Sequence, residues 1–461
     1  MYRIVIVGGG FAGAACALHF LRDHPGIRAD LTIVEPREIL GSGLAYSTPA
    51  PEHRVNVAAA RMSVFPEEPM HFDAWARGQG VATEDPVSEM PDGRLYPSRA
   101  VFGRYVAAML GAEIARAPGV TFRHVRDTAR AIVPRGTAFQ ISVGEGEELA
   151  ADALVLAVSH TAPDLPPPLR GCARVIANPW DVPALKPVPS HARVLIVGTG
   201  LTACDVVATL LAQGHRGPIT ALSRHGLLPR PRTLLPVEAE GDFATAPERT
   251  ALGFLRRIRR AVALAQAAGR PWENIVDALR QQAAIAWGAL DWTERRRLLR
   301  HLRSFWDVHR FQSAPQIDAA IRTARARGIL TVRAGSVVSA EDGPEGTAVR
   351  IRPRGASLTG SESLLVDTVI NCTGPGHRSV VATHPVLHLL AQAGALQADP
   401  AALGIWVDDQ GRAIRADGQA WPNLFVAGPL ARGTFGELMG LPQVNNQPRA
   451  VAALLARLAA A

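Results

Sequence analysis

The sequence predicts an α/β fold with two doubly wound domains and a mainly helical insertion. Three observations carry that expectation. An apolar strand running into a glycine-rich turn and a helix occurs twice, opening at residue 4 and again at residue 194. A proline-dense stretch, Pro163 to Pro189, lies between the two units, and proline at that density continues neither a helix nor a central strand. Residues 247–327 place apolar side chains at three- and four-residue steps, the period of amphipathic helices.

The chain of 461 residues is too long for one ordinary core and suits two or three domains. Its first strand, Tyr2–Val7, starts at once, leaving no room for a leader. No apolar run reaches the length of a membrane span, so a cytoplasmic protein is expected. The net charge of +8 is almost all arginine, since Lys186 is the only lysine. Those arginines are scattered rather than clustered with aromatics, which argues against a nucleic-acid partner. The cysteines Cys16, Cys172, Cys204 and Cys372 form no C-x-x-C pair and no metal-ligand spacing. That disfavours a dithiol relay, and no metal site is expected.

In the first unit, Gly8-Gly-Gly10-Phe11-Ala-Gly13 fits G-x-G-x-x-G between a strand and a helix. Gly8 allows the tight turn, Gly10 lets backbone approach a pyrophosphate, and Gly13 lets the helix pack on the strand. The helix N-terminus supplies N–H donors for the phosphates. A second strand, Leu31–Val34, ends in Glu35, placed to accept ribose hydroxyls. The motif therefore asks for an adenosine diphosphate moiety without a 2′-phosphate, as in FAD or NAD. The second unit, Gly198-Thr-Gly200-Leu201-Thr202-Ala203, repeats the motif with alanine in third place. Its second strand, Ile219–Leu222, ends in Ser223-Arg224 where the first has an acid. A guanidinium there suits a 2′-phosphate, pointing to NADPH over NADH. Two such Rossmann-like units imply two dinucleotides, commonly a nicotinamide that reduces a flavin.

Between and after these units, Asp291 and Glu294 form a capping pair ahead of Leu298 and Leu299. Short alternating strands follow near 329–352, then an apolar strand at 364–372, the strand Asn423–Ala427 and a closing helix.

The chain resembles the bacterial FAD/NAD(P)-binding proteins, relatives of flavin-containing and N-hydroxylating monooxygenases. The marks are Val7–Gly13, Gly43-Leu-Ala-Tyr46, Val55–Ser63, Asn178-Pro-Trp-Asp181, Val197–Thr202, Leu222-Ser-Arg224, Leu298–His301, Trp306–Arg310 and Gly428–Glu437. The resemblance implies FAD at the first loop, with Gly8, Gly10, Phe11, Gly13, Glu35, Arg37, Asn56, Gly428 and Thr434 around it. It implies NADPH at the second, held by Gly198, Gly200, Leu201, Thr202, Ser223 and Arg224. It also implies that the FAD domain leaves and returns. The expected bounds are 1–162 for its first part, 163–190 for the linker and 191–246 for the NADPH domain. The insertion then spans 247–327, the return of the NADPH domain 328–374, and the rest of the FAD domain 375–461. Two crossing strands, Val155–His160 and Val369–Gly374, would lead into the linkers, with Ala157-Val-Ser159 replacing the usual Ala-Thr-Gly in the first. The flavin-closing Gly-Asp is replaced by Gly428-Pro429.

The activity so implied is NADPH- and O2-dependent hydroxylation of a small nitrogen-containing molecule, an amine or a urate-like heterocycle, through a flavin C4a-hydroperoxide. A flavoprotein reductase serving a protein or quinone, and a non-catalytic redox sensor, are the alternatives. The cofactors carry the hard chemistry. Catalytic candidates are accordingly few. Asn56 serves either the isoalloxazine edge or a turn. His309 and Arg310 share a helix with Trp306 that is either core-facing or a pocket wall. Glu437 follows the closing strand, and His160 ends the first crossing strand.

Overall fold

In the computed structural model the described residues are all but 159, 160, 234, 236, 358 and 359. Ser159 and His160, at the end of the first crossing strand, therefore lie outside them. Among the described residues, three sheets form from sixteen strands. The first sheet begins with β1 (Tyr2–Val7), from which α1 (Phe11–Asp23) crosses to the parallel neighbour β2 (Ala29–Val34). Helix α2 (Arg99–Arg116) then precedes β3 (Val120–Val125), parallel to β2. A separate antiparallel layer follows: β4 (Ala129–Arg135), β5 (Ala138–Val143) and β6 (Glu147–Ala151). The chain rejoins the first sheet as β7 (Ala153–Leu156), parallel to β1.

The second sheet collects β8 (Val175–Ile176) from the proline-rich stretch and β9 (Val194–Val197). Helix α3 (Leu201–Ala212) crosses to the parallel β10 (Ile219–Ser223). The insertion is helical: α4 (Ala251–Ala267), α5 (Glu273–Gln281), α6 (Ala283–Gly288), α7 (Trp292–His301) and α8 (Arg303–Arg310). After α9 (Pro315–Ala326) come β11 (Leu330–Gly343), β12 (Gly346–Pro353), β13 (Glu362–Val366) and β14 (Thr368–Asn371). The order is β13-β12-β11-β10-β9-β14-β8. The apolar run at 364–372 is thus two strands rather than one. Asp367 divides it, accepting from the Arg193 backbone N–H at 2.7 Å and from its guanidinium at 2.6 Å.

Finally β15 (Arg412–Ile414) and β16 (Ala420–Val426) complete the first sheet, in the order β15-β16-β7-β1-β2-β3. The last helix, α10 (Gln443–Ala460), packs along α1, where His19 Nε2 lies 3.2 Å from Asn445 Oδ1. Each large sheet buries apolar side chains on both faces, as βαβ layering requires. The insertion has a small core of its own around Phe243, Ile275 and Leu279.

Candidate functional site

Both glycine loops sit at the carboxyl ends of their parallel strands, where open α/β sheets bind ligands. In the first, Gly8 has φ +103°, and a Cβ there would lie 2.3 Å from the Ala157 carbonyl oxygen. A Cβ on Gly13 would meet the Gly8 carbonyl oxygen at 1.9 Å, so α1 docks on β1 only through glycine. Gly10 caps α1 without a side-chain hydrogen bond, which leaves first-turn N–H donors to face an anion. Phe11 stacks on Phe102 beneath the loop, with 5.7 Å between ring centroids.

Glu35 is buried at the end of β2. Its Oε2 accepts from the Gly9 N–H at 2.9 Å, and its Oε1 from Arg37 Nη1 at 2.8 Å. Oε1 also accepts from the Arg37 backbone N–H at 3.2 Å, so it is Oε2 that keeps a second lone pair for a hydroxyl. Close backbone approaches, an acid with acceptor capacity and an uncapped helix start fit the diphosphate and ribose of an adenine dinucleotide. On the closing side, Gly428 has φ +90°, and a Cβ there would come within 2.6 Å of the Ala12 Cβ. Gln447 holds this turn, accepting from Gly428 N–H at 2.8 Å and donating to the Val426 carbonyl at 2.9 Å. The hydroxyl of Thr434 donates to the Val407 carbonyl at 2.7 Å and so braces the loop.

The second loop has the same construction. Gly198, at φ +120°, would put a Cβ 2.1 Å from the Cys372 carbonyl oxygen, whereas the space beside Gly200 is open. Ser223 is tied into its turn, with Thr199 Oγ1 at 2.8 Å and the Gly226 N–H at 3.0 Å. Arg224 projects exposed from the end of β10 and makes no ion pair among the described residues. The open Gly200 face and this uncommitted guanidinium fit an adenine dinucleotide with a 2′-phosphate.

A cavity of about 1000 Å³ joins the domains and the insertion. Tyr46 and Asn56 line it from the first domain, Gly198–Thr202 and Ser223–His225 from the second. Trp287 and Trp306 come from the insertion, and Arg432, Glu437 and Leu441 from the closing segment. Three ion pairs stand in its wall: Arg99–Asp205 at 2.8 Å, Arg303–Asp307 at 3.4 Å and Arg310–Glu437 at 2.5 Å. The last is almost wholly buried, with both Nε and Nη2 of Arg310 on one Glu437 oxygen.

The structure thus brings Asn56, Arg310 and Glu437 to one cavity. The side-chain amide N–H of Asn56 donates to the Gln312 carbonyl at 3.1 Å, and its main-chain carbonyl accepts from Arg232 Nε at 2.7 Å. His309 is not on the cavity wall. Its Nδ1 lies 2.7 Å from the Phe305 carbonyl, and its ring packs edge-on against Trp272. Sequence reasoning did not single out Trp287 or Arg432, although Arg432 lies inside the Gly428–Glu437 segment that marks the resemblance. Among the described residues no group of His, Cys, Asp or Glu is arranged to hold a metal ion. Nor, among the described residues, is any helix long and apolar enough to cross a membrane.

Two glycine-rich cradles at the carboxyl ends of parallel strands in separate sheets, the second of them lining a cavity that side chains of the first domain share, define an FAD-NAD(P)-binding fold. Residues 5–161 match the sequence model of a family described as FAD-NAD(P)-binding. Among solved structures, the ornithine N-hydroxylase of Kutzneria sp. 744 aligns over 99% of both chains with a TM-score of 0.65 at 15% identity. The L-lysine 6-monooxygenase of Pseudomonas syringae aligns over 100% of this chain and 99% of its own, with a TM-score of 0.63 at 16% identity. The ornithine hydroxylase of Pseudomonas aeruginosa covers 99% of both chains, with a TM-score of 0.62 at 15% identity. At these identities the likeness is one of fold. No curated protein matches the chain by sequence.

Proposed function

We propose that this chain is an FAD-dependent oxidoreductase that uses NADPH and O2 to hydroxylate a nitrogen of a small polar substrate, an amine or a urate-like heterocycle. One observation carries the reading: the cradle ending in Ser223-Arg224 opens onto the same cavity as Tyr46, Asn56 and Leu441 of the first domain. FAD, when bound, supplies the chemistry that links NADPH oxidation to O2. The protein's own part is binding, orientation and exclusion of water. Glu35 holds ribose hydroxyls at the first cradle, and the start of α1 faces the pyrophosphate. Gly198, Gly200 and the start of α3 do the same at the second, with Leu201 and Thr202 in its wall and Arg224 at the 2′-phosphate. Trp287, Trp306 and Leu298 give the cavity apolar surface that keeps water away from the reacting groups. The Kutzneria protein of the same fold is an ornithine N-hydroxylase, and the Pseudomonas ones are an ornithine hydroxylase and a lysine monooxygenase, which supports a nitrogen as the atom attacked. Cys16, Cys204 and Cys372 are buried and burial pushes their thiols up, which argues against a thiol relay to a protein acceptor.

The test is NADPH-driven oxygen uptake by the purified yellow protein across amines, amino acids and purines. A true substrate should raise uptake and yield a hydroxylated product with far less than one equivalent of peroxide. Rapid reduction of an artificial acceptor while O2 is ignored would make it a reductase. Flavin that NADPH never bleaches under nitrogen would make it a sensor.

A further inference from the structure

The charges in the cavity wall do not balance. Five arginines and three acids line it, and three ion pairs account for every acid. Two arginines remain. Arg224 is exposed at the second cradle, where the 2′-phosphate reading places a phosphate. Arg432 is different, because it is only 6% exposed. Its Nε and Nη2 are buried without a hydrogen-bond partner, and it makes no ion pair among the described residues. Nearby acids are already committed. Asp399 accepts from the backbone N–H groups of Ala401, Leu403 and Gly404, and Glu437 is held by Arg310. Burial pulls the Arg432 guanidinium down to about 9, which still leaves it charged at neutral pH. A buried cation without a partner is costly, and such a group is kept where a ligand completes it.

From this imbalance we infer that Arg432 is the substrate-anchoring residue of the cavity and takes an oxyanion, a carboxylate of the molecule to be hydroxylated. The inference rests on the monooxygenase reading for its naming of the ligand as substrate. The planar fork of arginine matches a carboxylate in two parallel hydrogen bonds, and two of its donors are here unspent. The Trp287 indole, whose Nε1 donates to the Gly433 carbonyl at 2.8 Å, fixes the neighbouring backbone and gives the substrate an apolar wall. The substrate class is therefore a small nitrogen compound with an anionic end. The anion sits at Arg432, and the rest extends along the cavity toward Tyr46 and Asn56.

Calorimetric titration of the FAD-loaded protein, without NADPH, tests this directly. Acetate, benzoate and glutarate are each compared with the corresponding amide. At least one carboxylate should bind roughly tenfold to a hundredfold tighter than its amide, the range of a charge-assisted hydrogen bond. Arg432→Gln should abolish the preference while the flavin spectrum and FAD content stay unchanged. Arg432→Lys should keep part of it. No preference for any of the three acids in the unaltered protein overturns the inference, as does a full preference surviving in Arg432→Gln. If Arg432→Gln loses FAD, the lysine variant decides, and affinity equal to that of the unaltered protein counts against the role. The titration uses neither NADPH nor oxygen turnover. An intact anion preference beside a failed oxygen-uptake assay would therefore sink the monooxygenase reading alone.

Discussion

Ser223 stands at the end of β10 where Glu35 follows β2, with Arg224 next to it, and on the proposed reading that exchange of charge sorts the two dinucleotides. A carboxylate at the second position would repel a 2′-phosphate, while a guanidinium attracts it. Arg224→Ala should raise the Kd for NADPH by roughly ten- to a hundredfold, the worth of one charge-assisted contact, and leave NADH almost unchanged. Equal losses for both, measured by flavin reduction under nitrogen, would remove the 2′-phosphate from the argument. Residues such as these are legible in the sequence because a motif fixes their place relative to a strand end. Thr434 and His309 show the limit of that legibility. Each has the right chemical type in the right segment, but only coordinates reveal that Thr434 spends its hydroxyl on Val407 and that His309 turns toward Trp272. Gln447 was invisible for the converse reason. Nothing in a lone glutamine announces that it clamps the Gly428 turn from the first part of α10.

Helix α1 and helix α3 begin alike, but they tolerate different changes. Gly13→Val should yield colourless and destabilised protein. The new side chain would drive into the Gly8 carbonyl, and lifting α1 off β1 costs about 3 kcal/mol or more. Gly200→Ala is its counterpart: the space beside Gly200 is open, so the protein should stay folded and yellow while NADPH binds more weakly. FAD content and thermal unfolding separate the two, and full flavin occupancy in Gly13→Val would mean that FAD sits elsewhere. Other elements were read less completely. The Asp291–Glu294 pair caps α7 from one side only. Asp291 accepts from the Glu294 N–H at 2.8 Å, but the Glu294 carboxylate reaches away to the Ala251 N–H at 2.8 Å and ties α7 to α4. Tertiary contact outbid the local box. The β4–β6 layer gave no motif and short, half-polar strands, so its existence follows from packing on the first sheet rather than from any pattern strong enough to read.

The whole molecule depends on contacts between residues far apart in the chain, which no local pattern encodes. His53 of the first domain sits 2.9 Å from Thr209 Oγ1 on α3, and Arg99 of α2 pairs with Asp205 of the same helix. These contacts tie the first domain to the helix of the second cradle, and they carry a pH dependence. Burial pushes the His53 imidazole down; Asp205 and Glu52 oppose that shift, and Arg99 adds to it. Burial likewise lowers His19, His215 and His384. A depressed folded pKa means that the unfolded chain takes up the proton first. The associated stability is therefore whole above about pH 6.5, the ordinary imidazole value, and drains as pH falls toward the folded values. Within that window each such histidine contributes a slope of up to about 1.4 kcal/mol per pH unit. The melting temperature of the FAD-loaded protein should accordingly hold level from pH 8 to 7 and fall steadily from 6.5 to 5.5, well above the range where carboxylates titrate. His53→Gln keeps a side chain able to bond Thr209 but removes one of the titrating groups, so it should make the acid limb shallower, with His19, His215 and His384 supplying the rest, without lowering the plateau by more than about 1 kcal/mol, the worth of one hydrogen bond. A melting temperature indifferent to pH between 8 and 5.5 would show that these imidazoles are not held neutral, and that the domain contact at His53 is not the acid-sensitive joint described.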